Sequence, residues 1–329
     1  MITKIAVPLD GSPLAEKALP YAIRLAHLLK ASLALVRVAG DSSPKSAYGE
    51  EATEARLYLE QLRGELIRPG AEVPLPTTRV EARVLFGKPA TEIAELGNAG
   101  KADLIVMTTH GRSGIPRLLL GSVAEGVIHH ATVPVVLYRP SEMQSEAVTG
   151  AEPVSLGRRR SPVLLPLDGT QEAETGLSAA IELARQSGAN LHLLRVIFEP
   201  PAVMTTDMAT GYLYGGYNEV VDLNELHQAA ETYLAELVER INTGEEDLKC
   251  VAVVRAGNPS DVIVAYAREI GAGLVVMPTH ARAGLGRVLL GSVAENVVRQ
   301  SNLPVMMIRI HETAQSAAEN ATAINDIND

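Results

Sequence analysis

Cysteine and the large aromatic residues are nearly absent from this chain of 329 residues, which has one cysteine, two phenylalanines and no tryptophan. The single Cys250 excludes an intrachain disulfide and a cysteine-rich metal site, and it is compatible with a reducing compartment. With so few aromatic side chains, the cores must be filled by leucine, valine, isoleucine and alanine. Aliphatic filling of this kind is typical of strands that are covered by helices on both faces.

Positive charge and long apolar runs are also missing. The formal net charge of −10 argues against general nucleic-acid binding, which needs a positive face to displace counterions. No apolar run approaches the ~18 residues that cross a bilayer. The strand-like segment Ile2–Leu9 leaves no room before it for a cleaved secretory signal. We therefore expect a cytoplasmic protein with neither a nucleic-acid nor a membrane partner.

The chain repeats itself, and the repeat is long enough to be a duplicated domain. Two segment pairs share an offset of 158 residues and two later pairs share an offset of 170, so the second copy carries 12 extra residues between its second and third strands. We expect these in Pro200–Leu223, as an ordered surface loop, a lid over the second site or an interface. The pairs are Ile5–Gly11 with Val163–Gly169, Ser32–Val38 with Asn190–Val196, Gly87–Pro89 with Gly257–Pro259, and Arg117–Glu125 with Arg287–Glu295.

The repeat predicts four regions: a first domain over residues 1–140, a linker over 141–161, a second domain over 162–312 and a disordered tail over 313–329. The linker is polar and aperiodic, and its triplet Arg158–Arg160 is more simply a solvated face than an anion site. The tail has no stable apolar face.

Within each copy, short apolar strands alternate with amphipathic helices. This alternation predicts an α/β fold: two copies of a five-stranded parallel sheet, doubly wound by helices. In such sheets ligands bind beyond the carboxyl ends of the strands, where the strand order reverses. The first-copy strands are predicted at Lys4–Leu9, Ser32–Val38, Arg79–Leu85, Leu104–Thr108 and Val133–Arg139, and the helices at Leu14–Leu29, Glu51–Glu65, Thr91–Ala99 and Ser122–His130.

A glycine-rich loop after the fourth strand, Thr108–Glu125, is the best candidate for binding chemistry. Its glycines let backbone N–H groups approach an anion, and a helix N-terminus adds unpaired donors. The loop has no Walker A ending, and no Gly-x-Gly-x-x-Gly follows the first strand, where Ser12 is expected as an N-cap with Pro13 at the first helical position.

Helix capping is the competing explanation of this loop. Ser122 with Glu125, and Ser292 with Glu295, have the spacing of a capping box, which would explain both serines without a ligand. His110 and His280 could polarise a phosphate or simply bond a neighbouring backbone group, so we assign them no catalysis. From the residues alone, phosphate binding and capping are equally supported.

Three segments together resemble the universal stress protein family: Val7–Asp10, Met107–Gly114 and Leu118–Glu125. The resemblance covers nearly all of both copies, excluding the linker and the tail. ATP-binding members of that family have a glycine, two residues, a second glycine, nine residues, and a third glycine followed by serine or threonine. In the first copy Gly111, Gly121 and Ser122 match, while Thr108 stands at the first glycine.

The second copy departs further from this signature. Only Gly291 and Ser292 match, because Pro278 and Ala281 stand at the first two glycine positions. Proline has no N–H to offer a phosphate, and alanine is strained in the left-handed conformation that glycine accepts. Thr108 keeps its N–H and is tolerated if its φ angle is negative. We therefore expect ATP at the first site and weaker or different binding at the second.

The resemblance implies ATP as the ligand, with Mg²⁺ as a companion ion, and it implies two sets of binding residues. Asp10 and Val38, with Asp168 and Val196 in the second copy, are the implied contacts of the adenosine moiety. The first set is Pro8, Asp10, Val38, Met107, Thr108, His110, Gly111, Arg112, Gly114, Gly121, Ser122 and Val123. The second set is Pro166, Asp168, Val196, Met277, His280, Arg282, Gly284, Gly291, Ser292 and Val293.

Three functional hypotheses follow. The first is a regulatory, ATP-binding stress-response protein with at most slow hydrolysis. The second is a nucleotide-free structural module of the same fold that acts through its dimer interfaces. The third, a nucleotide α-hydrolase-type enzyme, is the weakest, because the chain has no His-x-Gly-His element and no Ser-Gly-Gly-x-Asp loop.

The apolar fifth strands, Val133–Tyr138 and Leu303–Ile308, would be edges of their sheets, and exposed apolar edges invite pairing. The family resemblance implies that these strands join the two copies about a pseudo-two-fold axis. A homodimer of whole chains is compatible with the sequence.

Overall fold

The structure is a computed structural model that describes residues 1–40, 49–68, 75–76, 79–109, 120–139, 161–198, 212–213, 220–221, 223–243, 248–280 and 290–310. The first half contains β1 (Lys4–Pro8), α1 (Pro13–Glu16), α2 (Leu19–Leu28), β2 (Ser32–Val38), α3 (Glu50–Ile67), β3 (Val80–Leu85), α4 (Pro89–Asn98), β4 (Leu104–Thr108), α5 (Ser122–His130) and β5 (Val135–Tyr138).

The second half repeats this order with a small hairpin added. It contains β6 (Val163–Leu167), α6 (Gln171–Glu174), α7 (Leu177–Ser187), β7 (Leu191–Ile197), β8 (Tyr212–Leu213), β9 (Val220–Val221), α8 (Leu223–Asn242), β10 (Cys250–Ala256), α9 (Pro259–Glu269), β11 (Leu274–His280), α10 (Ser292–Gln300) and β12 (Val305–Ile310). The hairpin β8–β9 lies within the segment where the extra residues were expected, and the rest of that segment is outside the described residues.

Each half is a parallel five-stranded sheet with helices on both faces, as the sequence predicted. The first half has the strand order β3-β2-β1-β4-β5, and the second half has the matching order β10-β7-β6-β11-β12. Alternate residues of a strand point to opposite faces, so Ile5 and Leu33 pack toward α2 and α3, while Ala6 and Ala34 pack toward α4 and α5. In both halves the strand order reverses between the first and fourth strands.

The two halves meet through their fifth strands, which form one ten-stranded sheet. Strand β5 pairs antiparallel with β12, with Val136 opposite Met306, and both side chains are fully buried. Two arginines also connect the halves: Arg139 follows β5, and Arg309 lies within β12. Arg309 donates to the carbonyl of His129 at 2.9 Å, and Arg139 donates to the carbonyl of Arg299. Each arginine thereby satisfies a carbonyl at the C-terminal end of the partner half's last helix.

Some element bounds differ from the prediction, for identifiable reasons. The helix expected at Leu14–Leu29 is broken into α1 and α2, with Pro20 in the first turn of α2, and the second half has the same break between α6 and α7 without a proline, so the break belongs to the repeated fold. The helix expected at Thr91–Ala99 begins earlier, with Pro89 in its first turn. The fifth strand is shorter than Val133–Arg139. The Ser12 cap is confirmed, because its Oγ accepts from the N–H of Ala15 at 3.1 Å.

Two predicted features fall outside the described residues, namely the tail over 313–329 and the linker over 141–161 apart from its last residue, Ser161. No helix in the described part of the chain is both long and apolar enough to span a membrane.

Candidate functional site

A cavity of about 330 Å³ opens at the carboxyl ends of β1, β2 and β4. It lies at the point where the strand order of the first half reverses, which is where ligands bind in open α/β sheets. Apolar side chains form much of its wall, including Val36, Ile93 and Met107, and one carboxylate and several hydroxyl side chains also line it. Mostly apolar walls with a few placed polar groups are typical of small-molecule sites.

Eight of the twelve residues predicted for the first site line this cavity. They are Pro8, Asp10, Val38, Met107, Thr108, Gly121, Ser122 and Val123. The other four, His110, Gly111, Arg112 and Gly114, are outside the described residues. The topology therefore brings together segments that are more than 100 residues apart in the chain.

The turn after β1 fixes the position of Asp10. Its Oδ1 accepts from the N–H of Ser12 at 2.9 Å, and Gly11 between them has a φ of +83°, a conformation that favours glycine. The second half builds the same turn, with Gly169 at a φ of +85° and with Asp168 accepting from the N–H of Thr170. One carboxylate oxygen is occupied by the turn, and the side chain still lines the cavity.

The N-terminus of α5 supplies backbone donors to the wall of the cavity. Gly121 is the N-cap, and its carbonyl accepts from the N–H of Glu125 at 2.9 Å. The residues before Glu125 are Ser122, Val123 and Ala124, which all line the cavity, and first-turn N–H groups have no intrahelical acceptor. Together with the helix dipole, these donors favour an anion at this end of the cavity.

The predicted capping boxes are wrong. Ser122 is the first residue of α5 and Ser292 is the first residue of α10, each after a glycine N-cap with no side-chain capping bond. A serine at the first helical position cannot use its hydroxyl as a capping box requires, because that motif needs serine at the N-cap itself. Helix capping therefore does not explain either serine, whereas both serines line a cavity.

This difference is measurable in the protein without ligand. We expect Ser122→Ala to change the free energy of unfolding by less than about 0.5 kcal/mol, because no capping bond is lost. The matched variant Ser12→Ala removes an observed N-cap and should cost about 1 kcal/mol. Urea denaturation of both variants is the measurement, and an equal loss in the two would restore the capping role of Ser122.

The second half has an equivalent but larger cavity, of about 960 Å³, at the carboxyl ends of β6, β7 and β11. Seven of its ten predicted residues line it: Pro166, Asp168, Val196, Met277, Gly291, Ser292 and Val293. His280 ends β11 and its side chain is not described, and Arg282 and Gly284 are outside the described residues.

The first glycine position of the signature is occupied differently in the two cavities. Thr108 is the last residue of β4 and pairs with Tyr138, and its φ angle is negative, so threonine is tolerated there. Pro278 takes the matching place in β11, opposite Ile308. Both residues line their cavities, but Pro278 cannot donate a backbone hydrogen bond.

The sequence-based prediction missed residues that reach the cavities from helices and from strand interiors. In the first cavity these are Leu9, Ala15, Val36, Pro89, Ile93, Thr109 and Ala124. In the second they include Arg195, Phe198, Leu226, Ala229 and Tyr233. The second set includes side chains of α8. The sequences of α8 and α3 are too dissimilar for the repeat, which was identified from the strands, to show which residues of these two helices correspond.

A tyrosine–glutamate pair recurs beside both cavities. Tyr58 of α3 donates to Glu16 at 2.9 Å, and Tyr233 of α8 donates to Glu174 at 3.1 Å. Burial, reinforced by the neighbouring glutamate, raises the pKa of both phenols well above the ordinary value, so each tyrosine remains a hydrogen-bond donor. The hydrogen bond of each pair connects two helices, α3 to α1 in the first half and α8 to α6 in the second. It also shows that Tyr58 and Tyr233 are equivalent positions.

Comparison with known proteins agrees with this fold. The family model described as the universal stress protein family matches residues 1–139 and again residues 160–309. A universal stress protein of Mycolicibacterium smegmatis is 27% identical over 93% of this chain and 96% of its own length. A universal stress protein of Methanocaldococcus jannaschii is 36% identical over 41% of this chain and 81% of its own length.

Solved structures support the tandem architecture. A universal stress protein from Archaeoglobus fulgidus has a TM-score of 0.61 at 20% identity and covers 94% of this chain and 97% of its own. A structure described as a universal stress protein of Pseudomonas aeruginosa has a TM-score of 0.58 at 18% identity and covers 94% and 93%. At these identities the likeness concerns the fold.

Proposed function

This chain belongs to the universal stress protein family, and on that premise we propose that it is a cytoplasmic, ATP-binding regulatory protein of a stress response. The observation that supports this proposal is the first cavity, which has an apolar wall and whose lining includes a carboxylate and a helix N-terminus. An adenine nucleotide has the matching parts: a flat apolar base, a ribose with hydroxyl donors and an anionic phosphate chain.

In this proposal each part of the nucleotide has a partner. Val36, Val38 and Ile93 pack against the base, and Asp10 accepts hydrogen bonds from the ribose. The N–H groups of the first turn of α5 bind the phosphates. Asp10 is the only carboxylate among the described residues of this cavity, so Mg²⁺ would be held mainly by the phosphate chain and water.

The same residues favour a regulatory role over rapid catalysis. Within the described lining of the first cavity, Asp10 is the only acid or base, and it lies on the ribose side in this arrangement. An efficient hydrolase needs a base within hydrogen-bond reach of the attacking water. We propose that nucleotide occupancy biases conformation or partner binding, with at most slow hydrolysis.

Thermal unfolding with ATP, with AMP and without ligand tests this proposal. ATP at about one hundred times its dissociation constant should stabilise the protein by about 2.7 kcal/mol. Absence of a shift with either nucleotide would favour the nucleotide-free structural module. Steady turnover above about one ATP per second would instead revive the enzyme hypothesis.

The contributions of the two cavities to ATP binding can be distinguished with a matched pair of variants. We expect Asp10→Asn to weaken ATP binding about tenfold, since the lost hydrogen bond to a charged acceptor contributes about 1.5 kcal/mol. Asp168→Asn, the same change at the second cavity, should have a smaller effect, because Pro278 removes a phosphate donor there. Isothermal titration of both variants measures this, and equal tight occupancy of both cavities would contradict the proposed asymmetry.

A further inference from the structure

Each half has an arginine near the end of its second strand, and the surroundings of these two arginines differ. In the first half, the side chain of Arg37 is only 7% exposed, and its guanidinium pairs with Glu54 at 3.1 Å. It also lies over the ring of Tyr58, 5.3 Å from the centroid. Arg37 does not line the first cavity. Its charge is neutralised by Glu54 and is not available to a ligand in that cavity.

In the second half the acidic partner of this arginine is missing. Tyr58 and Tyr233 are equivalent through their bonds to Glu16 and Glu174, and the residue four positions before the tyrosine is Glu54 in α3 but Ala229 in α8. Arg195 has no carboxylate within 4 Å among the described residues, and its one hydrogen bond goes to the carbonyl of Leu167 at 3.5 Å.

Arg195 and Ala229 both line the second cavity. Gly169 lies beside the guanidinium, and a Cβ at that position would lie 3.5 Å from its Nη2 atom. The exchange of Glu54 for Ala229 therefore removes a carboxylate and opens space at the same point. A cation with a single long hydrogen bond in a cavity wall is suited to bind an anion.

The wall around Arg195 is strongly apolar. Leu226, Ala229, Ala230 and Tyr233 form one face of α8 at helical spacing, and Phe198 extends the wall from the end of β7. Phe198 and Leu226 are 41% and 39% exposed, and they are two of the four large hydrophobic side chains that are exposed in the described residues. Exposed apolar surface of this kind, gathered in a cavity, marks a ligand-binding surface.

We propose that the second cavity binds an amphiphilic organic anion, and that Arg195 recognises its anionic group. The ligand has an apolar or aromatic body, which packs on the α8 wall, and a phosphate, sulfonate or carboxylate that pairs with the guanidinium. This goes beyond the proposed nucleotide function, because it depends on Arg195 and α8 and not on the signature glycines. The two halves then recognise the anionic group of a ligand differently, with helix N–H groups in the first half and the guanidinium of Arg195 in the second.

Anilinonaphthalene sulfonate, which fluoresces in apolar sites, is a direct probe, with the uncharged phenylnaphthylamine as its neutral counterpart. Replacing Arg195 with methionine keeps an unbranched apolar chain in place of the arginine stem and removes the guanidinium and its charge. We expect Arg195→Met to weaken binding of the sulfonate about tenfold or more and to leave the neutral dye within about twofold. Arg195→Lys should restore part of the affinity.

A second pair of variants tests the missing carboxylate, because Ala229→Glu places in the second half the acidic side chain that pairs with Arg37 in the first half. Ala229→Glu should neutralise Arg195 and weaken sulfonate binding about tenfold or more, while Ala229→Gln, of equal size and without charge, should weaken it much less. Unchanged sulfonate affinity in Arg195→Met, equal loss of both dyes, or equal effects of the two Ala229 variants would each overturn the proposal. The ATP-induced thermal shift, measured on the same proteins, reports separately on the proposed nucleotide site.

Discussion

Replacing Val136 with aspartate is expected to destabilise the whole protein by about 3–5 kcal/mol, because an unpaired carboxylate would be buried between the two halves. Val136 is fully buried, and it faces Met306 across the antiparallel junction of β5 and β12. Backbone hydrogen bonds continue across this junction, so we expect the first and second halves to unfold in one transition. Urea denaturation followed by circular dichroism and by calorimetry measures both expectations.

The control at the junction is Val136→Ala, which removes two methyl groups without adding charge and should cost about 2 kcal/mol. Two separated transitions in the unsubstituted protein would show that the shared sheet does not couple the halves. A loss from Val136→Asp no larger than that from Val136→Ala would show that the junction admits water.

Replacing Leu165 with alanine is expected to cost about 2–5 kcal/mol, through lost burial and the cavity left behind. Leu165 is fully buried in the central strand β6, and its Cδ1 lies against Gly176, where a Cβ would be only 2.9 Å away. Little space is available there for neighbours to rearrange. The same strand continues into Pro166 and Asp168, so the substitution should also weaken ligand binding at the second cavity.

Leu57→Ala is the matched control, because Leu57 is 68% exposed on α3 and alanine is a good helix former. We expect its free energy of unfolding to change by less than about 0.5 kcal/mol. Similar losses for Leu165→Ala and Leu57→Ala in urea denaturation would contradict the burial argument.

Much of the fold could be predicted from the chain itself. The repeat of Ile5–Gly11 and Ser32–Val38 in the second copy identified the duplication, and near-continuous apolar strands identified the parallel sheets. The location of the site also followed, because strand order in such folds reverses beside the first strand. These features depend on local pattern and on general rules of connection, which are visible in sequence.

Hydrogen bonds that depend on the exact start of a helix could not be predicted. The spacing of Ser122 and Glu125 is that of a capping box, but the helix begins one residue earlier than the box requires, at Ser122 after Gly121. A shift of one residue changes whether a hydroxyl caps the helix or lines a cavity. Sequence-based boundaries are not accurate to one residue.

The inequality of the two cavities was anticipated only in part. Pro278 at a glycine position predicts a weaker phosphate contact in the second half, and that reasoning needs only the chemistry of proline. The difference between Arg37 and Arg195 could not be found in this way. Helices α3 and α8 follow different offsets from those of the strands, so Glu54 and Ala229 were not aligned.

By itself, then, the sequence determined a duplicated α/β domain, the strand ends that line each cavity and the loss of a backbone donor at Pro278. Only the tertiary structure decided that Arg37 is paired and Arg195 lines a cavity, because an ion pair depends on which helix face packs over which strand. It also decided that Ser122, one of the predicted site residues, begins α5 after Gly121 and makes no capping bond. Helix packing and helix phase are set by many weak contacts between distant segments, and no local pattern records them.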